Sequence, residues 1–351
     1  MQAFTFHIPV KTLFGKGQIS RLNQEIPSHT HKILIVTDPG LYENTGIVQQ
    51  ILAQLQDKDI RIFKDIEENP TLESIDQGGT MARDFKPGLV LGIGGGSAMD
   101  AAKGVANQVA NPPAIACIPT TSGTGSEVTP FAVFTDPENE TKLGFSKESY
   151  FPKFSIIDPE LTYSMPDAVL LNTGLDSLAH AIEAYLSTES FDLNDQLALH
   201  SIKQVINNLE DAVQRKQIAM DTMAYSAMLS GMAITHASTI LPHIMGYPLT
   251  VYHGVPHGRA GTLLIPPFID YLREINTCPE KVNALDELFK KTGGIRSFLE
   301  NLGVSLNLRD YGVEEGELDK YVQKTIVKGD VRITPGNIDE KVIREIYLRG
   351  M

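Results

Sequence analysis

LVLGIGGGSAMDAAKGVANQVA, residues 89–110, combines a strand-like pattern, a glycine run and a helical pattern in one short stretch. Its first residues form an apolar run of strand length, and its second half has the composition of a helix. A strand that leads through a glycine turn directly into a helix is the first part of a βαβ crossover, and such crossovers produce parallel sheets. The stretch therefore predicts an α/β fold with a parallel sheet.

The sequence on either side repeats this alternation of strand and helix. Apolar runs predict further strands at 32–37, 59–66 and 114–121, with helical patterns between them. In the second part of the chain, long Ala-, Leu- and Met-containing helical patterns replace the strands. We therefore predict an α/β domain over residues 1–162 and an all-α domain over residues 163–351.

Composition excludes several classes of protein. The chain has 351 residues, 42% hydrophobic and 21% charged, which suits packed globular domains. A net charge of -13 argues against nucleic acid or an anionic membrane as the main partner. Cys117 and Cys278 stand far apart, which argues against a disulfide scaffold or a thiolate metal site. Since the N-terminus has no signal pattern and no apolar run reaches membrane-spanning length, we expect a cytoplasmic protein.

The glycine turn GIGGGS, residues 92–97, is a candidate phosphate site. Glycines let backbone amides approach a pyrophosphate, and the helix start that follows favours its negative charge. The pattern is not the GxGxxG fingerprint, so a tight strand-to-helix turn is the alternative. Asp38 follows the strand at 32–37. Its carboxylate is placed to accept hydrogen bonds from an adenosine ribose and to repel a 2′-phosphate, although TDPG is also an ordinary turn sequence.

The segment PTTSGTGSEVT, residues 119–129, is rich in hydroxyl side chains and would make a poor core. One interpretation is a flexible surface loop. The other is a loop that binds a polar ligand through its hydroxyls and its exposed amides.

The segment NTGLDSLAHAIEAYL, residues 172–186, has the apolar periodicity of a helix, with Asp176 and His180 at its edge. Residues four apart project to the same side of a helix. Asp176 either caps the helix start, with His180 bound to a neighbouring carbonyl, or the pair forms half of a metal site.

The histidines of the chain concentrate in its second half. Six of the nine fall between His180 and His257, and the segment 241–258 alone holds His243, His253 and His257. The prolines and glycines of this segment predict that its end is not helical, so that its histidines are aimed from a loop. Together with Asp176 and His180 they offer enough N and O ligands for a divalent ion.

These motifs together resemble the iron-containing (group III) alcohol dehydrogenases, a family within the grouping that also holds glycerol dehydrogenase and dehydroquinate synthase. The resemblance covers most of the chain. It runs over FGKGQI, ENPT, GGGSAMDAAK, PTTSGTGSEVT, IIDPEL, GLDSLAHAIEAYLS and PHG. It implies an N-terminal nucleotide-binding α/β domain and a C-terminal helical domain, as in the dehydroquinate synthase architecture.

The resemblance also implies a set of site residues. The metal ligands are Asp176, His180, His243 and His257, which act in catalysis through a divalent ion, with Fe²⁺ expected first and Zn²⁺ second. Glu183 is expected to support them. The cofactor is expected to be NAD rather than NADP. Its predicted contacts are Asp38, Gly94, Gly95, Gly96, Ser97, Asp100, Thr120, Thr121, Thr124, Thr129 and Lys142.

One position departs from the family. Many relatives have a second histidine four residues after the one that matches His243, and it has been considered for proton relay. This chain has Tyr247 there. Tyr247 and His253 are both candidates for the relay, and the residues alone do not choose between them.

The implied function is a metal-dependent, NAD(P)-linked alcohol dehydrogenase or aldehyde reductase. A small primary alcohol or diol at the metal exchanges a hydride with the nicotinamide. A metal- and NAD-dependent lyase of the dehydroquinate synthase type and a glycerol dehydrogenase-like polyol oxidoreductase are the alternatives. The expected partners are a small alcohol or aldehyde and further copies of the chain, as a dimer or larger homo-oligomer, with no nucleic acid and no membrane.

Overall fold

The computed structural model describes residues 3–351, which begin with alternating strands and helices and end with helices only. Among these residues the strands are β1 (Lys11–Phe14), β2 (Lys32–Val36), β3 (Asp59–Phe63), β4 (Leu89–Gly94), β5 (Ala114–Pro119), β6 (Phe131–Asp136), β7 (Thr141–Ser146) and β8 (Phe154–Ile157). The helices of the first half are α1 (Leu22–Glu25), α2 (Pro39–Asn44), α3 (Ile47–Leu52), α4 (Leu72–Phe85) and α5 (Gly96–Ala106). Those of the second half are α6 (Asp167–Leu186), α7 (Asp192–Val213), α8 (Gln217–Ala237), α9 (Leu241–His253), α10 (His257–Glu274), α11 (Pro279–Phe289), α12 (Ile295–Asn301), α13 (Leu318–Ile326) and α14 (Glu340–Arg349).

A six-stranded sheet forms the centre of the first half. Its strand order is β1-β8-β5-β4-β2-β3, and every neighbouring pair runs parallel. β6 and β7 form a separate antiparallel hairpin. The predicted fold class, a parallel α/β domain followed by a helical domain, is confirmed.

The central strands are largely apolar, and both faces of the sheet are buried. Successive side chains of a strand point to opposite faces. In β2, Ile33 and Ile35 belong to the core on one face, whereas Leu34 and Val36 belong to the core on the other. A parallel sheet covered on both faces needs such continuous runs, and this explains why the strands could be predicted without an alternating pattern.

The chain divides into two compact units, one of residues 7–170 and one that contains residues 171–351. Residues 3–6 also belong to the second unit. Phe4 stacks on Phe191 with ring centroids 4.4 Å apart, and Phe6 stacks on His236 at the same separation. The predicted domain limits, 1–162 and 163–351, stay a prediction, and residues 1 and 2 of the first lie outside the described residues.

The helical unit contains several helices that are largely buried. α8 is lined by small and apolar residues on most of its surface, and α9 and α10 contain long buried stretches. None of the helices in residues 3–351 has both the length and the apolar character needed to cross a membrane.

Candidate functional site

Three helices of the second unit bring the predicted metal ligands together. α6 carries Asp176 and His180 one turn apart, with Nε2 of His180 3.7 Å from Oδ1 of Asp176. His243 lies in the first turn of α9, and His257 is the first residue of α10. The ligand atoms of Asp176, His243 and His257 all lie within 4.8 Å of one another. Nε2 of His243 lies 3.0 Å from Nε2 of His257.

These separations fit one divalent ion. Ligand atoms bound at about 2.1 Å around a tetrahedral ion lie roughly 3.4 Å from one another, close to the 3.0 and 3.7 Å observed. Oδ1 of Asp176 is buried and accepts no hydrogen bond from any residue in the range 3–351. A buried carboxylate oxygen without a donor is costly, and a cation beside it would remove that cost. One carboxylate and imidazoles form a donor set that suits Fe²⁺ or Zn²⁺.

His180, the fourth predicted ligand, lies at the edge of this group. Its ring centroid is 5.1 Å from that of His243, and the residue is almost fully buried. The structure therefore brings all four predicted ligands to one place in the helical unit, and their role as ligands stays a prediction.

A glycine explains why α10 can begin so close to α6. A Cβ atom on Gly258 would lie 2.5 Å from Cβ of Asp176 and would also collide with the carbonyl oxygen of Asn172. Only glycine permits this approach. The PHG motif therefore places His257 beside Asp176 through its glycine as well as through its histidine.

Glu183 supports His243 from α6. Its Oε2 accepts hydrogen bonds from the backbone amides of Ile240, at 2.7 Å, and of His243, at 3.2 Å. Its Oε1 lies 3.4 Å from Nδ1 of His243. Burial raises the pKa of the Glu183 carboxyl, whereas its contacts with His243 and the two amides act in the opposite direction. Burial acts to lower the pKa of His243, but the contact with Glu183 and the charges of Asp176 and Asp330 together outweigh it, so the net shift is upward.

The two relay candidates lie in different surroundings. The ring centroid of Tyr247 is 5.9 Å from that of His243 and 5.9 Å from that of His257. His253 instead has its Nε2 2.6 Å from the hydroxyl of Tyr321 and 3.4 Å from a carboxylate oxygen of Glu317. The prediction that loop residues aim the histidines is wrong for His243 and His253, because α9 continues through Pro248 to His253.

The predicted cofactor residues of the α/β unit gather at one edge of the sheet. The carboxyl ends of parallel strands meet at the same edge, and ligands bind in the crevices there. Asp38 follows β2, the glycine turn follows β4 and the hydroxyl-rich loop follows β5. A Cβ atom on Gly94 would lie 3.3 Å from Oδ2 of Asp38. Asp38 also accepts a hydrogen bond from the amide of Leu41 at 2.8 Å and so caps α2.

The hydroxyl-rich loop packs directly on the glycine turn. The amide of Thr120 donates to the carbonyl oxygen of Gly94 at 2.9 Å. A Cβ atom on Gly95 would lie 3.2 Å from the methyl group of Thr121, and one on Gly96 would clash with the methyl group of Thr124. The predicted pyrophosphate turn and the predicted nicotinamide loop therefore pack directly against each other.

Asn69 joins two further predicted cofactor residues. Its backbone amide donates to Oγ of Ser97 at 3.1 Å, and its Oδ1 accepts from Nζ of Lys142 at 2.6 Å. The residue has a φ of 59°, a left-handed conformation in which asparagine is enriched. Asn69 belongs to the ENPT motif, for which the sequence suggests no particular role, and its left-handed conformation leaves no signal in the sequence beyond the choice of asparagine.

Asp100 and Thr129 are bound by other protein groups. Asp100 accepts hydrogen bonds from Oγ of Ser126, at 2.6 Å, and from the amide of Val133, at 2.8 Å. The carbonyl oxygen of Thr129 accepts from Nζ of Lys103 at 3.1 Å. Their predicted contacts with the cofactor stay predictions.

A parallel α/β unit with a glycine turn, followed by a helical unit with a buried carboxylate–imidazole cluster, defines a class of nucleotide-linked metalloenzymes. Residues 9–159 match the family model described as iron-containing alcohol dehydrogenase, and residues 170–351 match the C-terminal model of the Fe-containing alcohol dehydrogenase family. The chain belongs to the iron-containing alcohol dehydrogenase family. The predicted family, and the alcohol dehydrogenase class of enzyme that defines it, are confirmed. Membership implies Fe²⁺ and a nicotinamide dinucleotide, as predicted.

Three relatives illustrate the similarity. The aldehyde-alcohol dehydrogenase of Streptococcus pneumoniae serotype 4 is 31% identical over 90% of this chain, which spans only 42% of that protein. The 1,3-propanediol dehydrogenase of Klebsiella pneumoniae is 29% identical, with 98% of both chains covered. The crystal structure of an iron-containing alcohol dehydrogenase from Thermotoga maritima superimposes with a TM-score of 0.90, 33% identity and 99% coverage of both chains.

Proposed function

We propose that this chain catalyses the NAD(P)-linked interconversion of a small primary alcohol or diol with its aldehyde, dependent on a divalent metal. The observation that carries the proposal is the buried group of Asp176, His243 and His257, whose ligand atoms converge within 4.8 Å. The similarity to alcohol and diol dehydrogenases supports this choice over the lyase alternative. We also propose that the protein acts in the cytoplasm as a dimer or larger homo-oligomer, which the family resemblance supports.

The chain's own residues prepare the site. Asp176, His180, His243 and His257 would hold the metal, and Glu183 orients His243. Three neutral imidazoles and one carboxylate leave a divalent site with net positive charge, which suits an alcohol that loses its proton. When bound, the metal supplies Lewis acidity toward the alcohol hydroxyl and NAD supplies the hydride acceptor.

On the cofactor side, the amides of the glycine turn would bind the pyrophosphate at the start of α5. Asp38 would accept hydrogen bonds from the ribose, and its negative charge would repel the 2′-phosphate of NADP. We therefore expect a preference for NAD.

Tyr247 is the better supported of the two relay candidates. Its ring lies 5.9 Å from the rings of two predicted ligands, whereas His253 is engaged with Tyr321. Tyr247→Phe should lower turnover and change its pH profile while metal content stays the same. If His253→Gln instead lowers turnover and changes its pH profile, while Tyr247→Phe behaves like the wild-type protein, the relay is assigned to His253.

The test of the function is NADH formation over a panel of short alcohols and diols. The protein is stripped of metal and then supplied with Fe²⁺ or Zn²⁺. Metal-dependent NADH formation is the expected result. Tight NAD binding without net NAD consumption on any alcohol would refute the dehydrogenase and favour the lyase.

Two histidine variants show whether the predicted site is responsible. His257→Ala should abolish both metal binding, measured by elemental analysis, and turnover. His200→Ala, an exposed histidine on α7, is the matched control and should keep both. If His257→Ala retains metal and turnover, the ligand assignment is wrong.

A further inference from the structure

A lysine is completely buried in the α/β unit, where the predicted mechanism gives it no role. Lys103 has no exposed surface. Its Nζ lies 2.7 Å from the carbonyl oxygen of Ser126, 2.6 Å from Oγ of Ser126 and 2.7 Å from the carbonyl oxygen of Phe131. The carbonyl and hydroxyl oxygens of Thr129 lie at 3.1 and 3.4 Å. An ammonium group has three donors, so the three shortest contacts use all of them.

Asp100 completes this arrangement one turn earlier on α5. Its Oδ1 lies 4.0 Å from Nζ of Lys103 and accepts from Oγ of Ser126 at 2.6 Å. Its Oδ2 accepts from the amide of Val133 at the start of the β6–β7 hairpin. Ser126 therefore accepts a hydrogen bond from the lysine and donates one to the aspartate. Burial acts to lower the pKa of Lys103 and to raise that of Asp100, and the opposite charge of each acts against the shift of the other.

A buried charge is expensive, and it persists where every donor and acceptor has a partner. An apolar side chain would fill the same space without that cost. The partners of Lys103 all belong to one segment, from Ser126 to Phe131, which is the second half of the hydroxyl-rich loop and the residue that begins β6. What the lysine provides is thus a defined backbone path for this loop.

The opposite side of the same loop contacts the predicted cofactor turn. Thr120 donates to the carbonyl oxygen of Gly94, and Thr124 leaves no space for a side chain at Gly96. The loop is therefore held at one end by α5 and packed at the other against the start of that same helix.

We propose that Lys103 and Asp100 are positioning residues, which hold the loop 119–129 in the one conformation that receives the nicotinamide dinucleotide. Neither touches the cofactor. Asp100, predicted from the resemblance to contact the cofactor, acts instead through Ser126. This inference rests on the proposed function, because cofactor binding at the loop is part of that function.

The experiment measures the dissociation constant of NADH by fluorescence for the 351-residue chain. Lys103→Met keeps the length of the side chain and removes its donors. Ser126→Ala removes the bridging hydroxyl alone, and it remains informative if the lysine variant does not fold. We expect NADH affinity to fall about ten-fold or more in both variants, because the loop must then be ordered at the expense of binding.

A destabilised control separates positioning from loss of stability. Leu55 is fully buried in the same unit and belongs to the core on the face opposite Lys103. Leu55→Ala should lower the melting temperature at least as much as Ser126→Ala and leave NADH affinity unchanged. All binding is measured at a temperature where circular dichroism shows every variant folded.

Each outcome decides the proposal. Weakened NADH binding in Ser126→Ala or Lys103→Met, with Leu55→Ala unaffected, supports it. Wild-type affinity in the folded variants overturns it, and so does equal weakening in Leu55→Ala. If the wild-type protein itself does not bind NADH, the cofactor part of the proposed function fails, and the positioning role fails with it.

Discussion

Replacement of Glu183 by glutamine tests how the helical unit orients a predicted metal ligand. Glu183 has no exposed surface, and its two oxygens have different tasks. Oε2 accepts from the amides of Ile240 and His243 at 2.7 and 3.2 Å, and Oε1 faces Nδ1 of His243 at 3.4 Å. Glutamine keeps the volume and one oxygen and exchanges the other oxygen for an NH₂ group.

The expected size of the effect follows from these contacts. The remaining oxygen can still accept from the two backbone amides, so the start of α9 keeps its partners. The NH₂ group then faces Nδ1 of His243, which carries the proton when Nε2 binds the metal, and two donors oppose each other. Loss of such a support lowers metal affinity about 10- to 100-fold. The unmatched donor costs roughly 1–3 kcal/mol of folding stability, offset in part because a buried charge is removed.

The assay is competition between the protein and a calibrated chelator for Fe²⁺ or Zn²⁺, together with urea unfolding of the metal-free protein. Glu210→Gln is the matched control, because Glu210 is exposed on α7. Glu183→Ala should lower metal affinity and folding stability more than Glu183→Gln does, since it also leaves two buried amides without an acceptor. Wild-type metal affinity in folded Glu183→Gln would refute the idea that the carboxylate orients His243.

Three further predictions concern the α/β unit. Burial raises the pKa of Glu127 from its ordinary 4.5 to about 7. Between these pH values the folded chain therefore keeps a proton on Glu127 that the unfolded chain has lost. Up to about 3 kcal/mol of folding stability should be lost as the pH rises from 4.5 through 7. Urea unfolding at pH 5 and 8 should show this loss, and Glu127→Gln should abolish the pH dependence. Asp38→Ala should cost about 1 kcal/mol, through the lost cap of α2, and reduce the preference for NAD, whereas Asp38→Ser should keep the cap and lose only the preference in steady-state kinetics. Gly96→Ala should weaken NADH binding in fluorescence titrations and lower folding stability by about 1–3 kcal/mol in thermal unfolding. Adding Thr124→Ser to the same chain should restore part of the NADH affinity and part of the stability.

The fold was predictable where local sequence alone decides the structure. β2, β4 and β5 are buried on both faces, so their apolar runs stand out from any flanking sequence. β1 and the β6–β7 hairpin have mixed patterns and gave no prediction of strands. The partner of β1 is β8, with Lys11 opposite Phe154, and a pairing across that distance leaves no local pattern.

Two local signals admit more than one structure. TDPG reads equally as a turn or as a helix start. Asp38 is the N-cap and Pro39 the first residue of α2, a helix that the sequence pattern did not predict. Pro248 suggested an interruption, yet α9 includes it. A proline removes one backbone donor, and a helix whose face is buried by its neighbours tolerates the loss.

The cluster of predicted metal ligands shows the limit of reasoning from spacing. Asp176 and His180 were predictable as a pair because they share one helix. The approach of His257 depends on a contact between two helices that are far apart in sequence, where Gly258 meets Asp176. Spacing along the chain carries no information about that contact, and the resemblance to a family was needed to connect these residues.

The motifs that identified the family contain residues of two kinds, and the sequence does not separate them. In DSLAHAIE, Asp176 and His180 belong to the cluster of predicted metal ligands, whereas Glu183 accepts hydrogen bonds at the start of α9. In GGGSAMDAAK, the glycines border the predicted cofactor turn, whereas Asp100 and Lys103 hold the loop beside it. Each residue of the second kind is charged, largely buried and hydrogen-bonded to backbone groups. In this chain, each of these motifs therefore specifies a predicted ligand site together with the hydrogen bonds that hold its backbone. To assign every motif residue as a direct ligand would count too many ligands.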